Sequence, residues 1–61
     1  MNKETINQLI SILIEERMKV KLHISYLELV GDLDNETLND LLQKMSEIDK
    51  TIADLEKRKQ R

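Results

Sequence analysis

Residues 30–37 read V-G-D-L-D-N-E-T, from Val30 to Thr37, and their reading decides the fold. Gly31 is the only glycine, and the chain has no proline. Apolar residues at helical spacing lie on both sides. Gly31 follows Val30, the last apolar residue of the first run, where glycine adopts the left-handed conformation that ends a helix at no steric cost. Asp32 and Asp34 are both candidate caps for a second helix. Asp34 fits better, because Leu33 then falls at N′ and Leu38 at N4, the spacing of a hydrophobic staple. Its carboxylate can accept from the free N–H groups of the first turn, and Glu36 adds charge that the helix dipole favours. A continuous helix through Gly31 is the rival reading, since one glycine costs only about 1 kcal/mol. The staple beside it favours a corner, and so short a connection makes the helices antiparallel.

Working outward, the spacing predicts an all-α fold. It is one antiparallel two-helix hairpin domain over residues 1–61, with helices at about 3–29 and 35–57 and a frayed basic tail at 57–61. Asn2 can cap the first helix with Thr5 at N3, and Thr5 with Gln8 is a second capping choice. The apolar run Ile10 to Ile14 also suits a short strand, but the longer 3/4 periodicity around it outweighs that.

The first helix has two apolar stripes. Ile6, Ile10, Leu13, Val20, Ile24 and Leu27 form one, with Arg17 at the missing position and Leu9 widening it. Ile14, Met18, Leu22 and Leu29 form the other, with Ser25 in the gap and Tyr26 beside it. At about 100° per residue the two lie on roughly opposite sides. The second helix has a single stripe, Leu38, Leu41, Met45, Ile48, Ile52 and Leu55, in the alternating three-and-four spacing of coiled-coil packing. One stripe of helix 1 covers that of helix 2, which leaves Ile14, Met18, Leu22, Tyr26 and Leu29 as the expected self- or partner-interface. Two hairpins across a twofold axis, a dimeric four-helix bundle, are the economical way to bury it. A chain of 61 residues without cysteine has association left as its means of stabilisation.

Composition narrows function by exclusion. One histidine and no cysteine do not make an ordinary metal site, and one aromatic residue does not make a base-stacking platform. No metal and no cofactor are expected. Glu15, Glu16, His23 and Glu28 are the polar groups nearest one another, and His23 reads as a boundary residue beside the core. No Ser–His–Asp set or glycine-rich phosphate loop exists, so the chain reads as no enzyme. Neither a signal peptide nor a membrane span is expected, which suits a cytoplasmic protein. The use of Ile, Asn and Lys suits a bacterial, phage or plasmid product.

Net charge is −2, unevenly placed. Residues 1–30 balance, residues 31–56 carry −6 and residues 57–61 carry +4. Arg17, Lys19 and Lys21 on helix 1, with Lys57, Arg58 and Lys59 in the tail, are the candidate nucleic-acid contacts. The acidic second helix instead suits a basic surface on a protein partner. Arg17 can pair with Glu47 or Asp49 or simply cover apolar surface with its stem.

The format resembles two groups of very small bacterial helical hairpins. One is the sporulation phosphatase family acting on aspartyl phosphate, whose second helix carries Ser-Gln-Glu-Leu-Asp. The nearest stretch here, Met45-Ser46-Glu47-Ile48-Asp49, is one residue short between serine and aspartate. That turns the aspartate by about 100°, so the activity does not carry over. The other is the plasmid copy-control RNA-binding hairpin, similar in length and dimeric form. The expected function is a small non-enzymatic protein-interaction module, a homodimeric regulator or antagonist that binds another protein. The alternatives are an RNA- or DNA-binding dimeric hairpin and the phosphatase.

Overall fold

The computed structural model describes residues 2–60; Met1 and Arg61, the last residue of the expected tail, lie outside the described residues. Two helices account for nearly all of them: α1, Lys3–Leu29, and α2, Asn35–Lys59. They pack against each other and run antiparallel. Lys59 Nζ donates to Asn7 Oδ1 at 3.0 Å, and Arg17 Nε meets Asp49 Oδ1 at 3.2 Å. Residue n of α1 therefore lies level with residue 66 − n of α2.

Local chemistry sets each helix end. The Asn2 side chain accepts from the Thr5 N–H at 2.8 Å and caps α1. At the other end Gly31 has φ +75°. Its N–H donates to the Glu28 carbonyl at 3.2 Å, and the Asp32 N–H donates to the Leu27 carbonyl at 2.9 Å. This pair of reversed bonds is a Schellman motif, and it satisfies carbonyls that the last turn otherwise leaves open. Asp34, not Asp32, caps α2, accepting from the Thr37 N–H at 2.7 Å. Leu33 and Leu38, the two staple positions, are both partly buried. Lys57, Arg58 and Lys59 occupy the last turn of α2, where the dipole favours cations. The helix ends at Lys59, two residues beyond its expected end, with the Lys59 ammonium held against Asn7.

The core is a single seam between the helices. Ile6, Ile10, Val20, Ile48 and Leu55 are buried. Ile6, Ile10 and Leu55 cluster near the open end, packed with Leu9, Leu13 and Ile52. Toward the corner, Ile24, Leu27, Leu38 and Leu41 stay partly exposed. The molecule measures 45 × 15 × 11 Å, and its radius of gyration is 14.2 Å. A globular chain of this length has a radius of gyration of about 10.5 Å.

Two tests follow from the corner. A Cβ on Gly31 would meet nothing within 4 Å, so Gly31→Ala costs only the left-handed backbone conformation, about 1–2 kcal/mol. Thermal unfolding should show a midpoint lowered by several degrees, with Gly31→Asn less affected; an unchanged midpoint for alanine contradicts the motif. The hydrogen bonds from Thr37 hold the Asp34 carboxyl below its ordinary value of 3.8. A depressed pKa stabilises the fold above the unfolded-state value, and the gain disappears as pH falls through the folded value. Denaturant midpoints should therefore drop below about pH 4. Asp34→Asn, which caps without ionising, should show a smaller drop, and an identical acid profile would remove Asp34 from the account.

Candidate interaction surface

The surface that two helices cannot cover lies along α1. Its residues at intervals of four, from Ile6 to Val30, are all apolar or aromatic, and they form one continuous row. Relative exposure along it runs 2% at Ile6, 9% at Ile10, 42% at Ile14, 58% at Met18, 66% at Leu22, 61% at Tyr26 and 53% at Val30. The cause is geometric. Four residues overshoot one helical turn by about 40°, so a row of fourth residues winds around the helix. It begins inside the seam and emerges on the far side. Leu29, in the adjacent row, is 86% exposed. The five expected interface residues Ile14, Met18, Leu22, Tyr26 and Leu29 thus share one exposed side of α1.

The exposed side is not smooth. Met18, Lys21, Leu22 and Ser25 line a shallow depression, and Ser25, Glu28 and Leu29 line the next. A third, among Glu4, Asn7, Gln8 and Ser11, lies nearer the start of α1. Steps of three, four and seven residues outline the hole that receives a side chain from a facing helix. The first of these depressions has apolar walls from Met18 and Leu22, the second is more polar beside Leu29, and Ile12 supplies an apolar wall to the third. Ile12, Val30 and Leu42 are further exposed apolar residues. The stripe reading missed them. Val30 was legible as the end of the fourfold row, while Ile12 and Leu42 stand apart from it.

The basic residues do not form one face. Arg17 and Lys21 are four apart and share a side of α1 within about 40°, whereas Lys19 between them lies across the helix, about 160–200° away. Arg17 leans to Asp49, and Lys19 lies 3.6 Å from Glu16. Lys57, Arg58 and Lys59 are level with the first turns of α1. They sit roughly 18 Å along the axis from Lys19, at 1.5 Å per residue. Within one hairpin these are two separate groups of charge.

Glu15, His23 and Glu28 are exposed and Glu16 is partly so. Among the described residues, no three His, Asp or Glu side chains gather closely enough to hold a metal ion, and no helix is long and apolar enough to cross a membrane. No family model, curated protein or solved structure matches the chain.

Arg17 occupies the gap in the inner stripe, and its ion pair with Asp49 has both side chains about half exposed, at 51% and 52%. Solvent screening leaves such a pair roughly 0–1 kcal/mol. Arg17→Met exchanges that pair for a continuous apolar stripe. Urea unfolding should show unchanged or higher stability; a loss well beyond about 1 kcal/mol would mean the pair fixes the register.

Proposed function

We propose that the chain is a small non-enzymatic protein-interaction module that works as a homodimer, a regulator or antagonist that binds another protein. The observation that carries this reading is the apolar side of α1, from Ile14 to Leu29, standing outside the seam with α2. An apolar stripe of this length, bordered by charged residues, marks a contact surface. A helix that is apolar on two sides is one that is covered on two sides. A second copy brings the same surface and needs no other gene product, which makes a twofold assembly of four helices the simplest cover.

Self-association leaves α2 facing outward. Glu36, Asp40, Glu47 and Asp54 are exposed and fall within about 40° of one another on that helix. A row of carboxylates steers a basic protein surface toward it, raising the association rate more than the final affinity. Regulation in this reading is occlusion of such a surface and needs no chemistry.

Sedimentation equilibrium on the wild type and on Leu22→Asp tests the reading. Leu22 is exposed in the single hairpin, so the aspartate leaves the seam intact. The expected result is a dimer mass for the wild type and a monomer mass for the variant, with equal helix content by circular dichroism. A wild type that stays monomeric from micromolar to submillimolar concentration would sink the dimer.

A further inference from the structure

The outer side of α1 is symmetric about its centre. Asn7, Ser11, Ile14, Met18, Leu22, Ser25 and Leu29 succeed one another at steps of four, three, four, four, three and four. All seven fall within about 80° of arc. The spacing reads the same in both directions from Met18, and side-chain size follows it in the two inner pairs, Ser11 mirroring Ser25 and Ile14 mirroring Leu22, while at the ends polar Asn7 mirrors Leu29. Each half is an 11-residue period, which overshoots three turns by about 20°, so the face winds by only about 40° from Asn7 to Leu29. A face that winds so little suits a partner lying along its length.

We infer that α1 of one protomer lies antiparallel along α1 of a second copy, with Met18 on the twofold axis. This rests on the self-association proposed above and adds its direction and register. Residue n then lies opposite residue 36 − n. Ile14 meets Leu22 of the partner subunit, Met18 meets Met18 of the partner subunit, and the two serines face each other. Ser25 leaves room beside Met18 and Leu22, where the depression lies.

Charge selects the direction. The hairpin is electrically polar along its length. Its corner end, residues 24–42, carries Glu28, Asp32, Asp34, Glu36 and Asp40 and no lysine or arginine. Its open end carries Lys3, Lys57, Arg58 and Lys59 against Glu4 and Glu56. A parallel pair sets acid beside acid and base beside base. An antiparallel pair sets each acidic corner at the same end as the other copy's basic turn. Along the contact, Glu15 comes beside Lys19 of the partner subunit, and the axis repeats that pair. Lys21 comes near Arg17 of the partner subunit, a like charge that Asp49 offsets within its own hairpin.

The area is sufficient. The chain exposes 5042 Å² at 7.2 kDa, whereas a folded monomer of that mass exposes about 4100 Å². The difference is comparable with the roughly 800 Å² that a standard interface takes from each partner. Because the outer face lies about 130° from the seam, the four helices form a bent row, α2–α1–α1–α2, with the two seams outermost.

Disulfide trapping tests this directly, since the natural chain has no cysteine. Ser11 and Ser25 are exposed, and cysteine at either leaves the seam untouched. Oxidation should link Met18→Cys to itself. It should link about half of a refolded equimolar mixture of Ser11→Cys and Ser25→Cys, the share that pairs as heterodimers, while each serine variant alone stays unlinked. Self-linking of Ser25→Cys alone would mean a parallel pair and overturn the inference. A wild-type dimer whose mixed variants do not link would also overturn it, leaving self-association standing. A monomeric wild type would overturn both.

Discussion

Two helices can bury only one side of each other. In a body 11 Å across its thinnest direction, every side chain not in the seam is surface, and the sequence has more apolar side chains than one seam can take. The seam itself is economical. α2 places all its large apolar residues but Leu42 on one stripe and gives most of the rest of its circumference to charge and to polar groups. α1 does not. Its row of fourth residues passes through the seam and out again, so the helix that completes the core also presents the largest apolar face. The assembly question is therefore already contained in the single chain.

The corner was the most legible part of the sequence because its signals are local. Gly31 at the left-handed position and Asp34 at the cap act through bonds to residues within a few positions, and nothing distant competes with them. Which stripe of α1 faces inward was legible too, since only Ile6, Ile10, Leu13, Val20, Ile24 and Leu27 match the length of the α2 stripe. Depth of burial was not. Periodicity gives a direction around the axis but says nothing of how closely the other helix approaches, and Ile24, Leu27, Leu38 and Leu41 remain partly open while Ile6 and Leu55 close.

The candidate surface shows the same division. Ile14, Met18, Leu22, Tyr26 and Leu29 were found by spacing alone, and they are exposed together. The basic residues were grouped by nearness in sequence, which a helix does not respect. Lys19 lies across α1 from Arg17 and Lys21, which share a side, and Arg17 is turned toward Asp49. A charge cluster in a helical sequence has meaning only after it is placed on the helix, as the fourfold row already was.

The passage of one row from seam to surface makes α1 sensitive to length in a way α2 is not. Removing or adding a single residue between Ile10 and Ile14 rotates everything beyond it by about 100° relative to everything before. The seam and the outer face can no longer both be met. Substitutions of similar size are tolerated along the row, but insertions and deletions are not. An equivalent change near the end of α2 disturbs only the last turn. The fold therefore requires a fixed length of α1 between Ile6 and Leu29, whereas it tolerates lengthening or shortening at the end of α2.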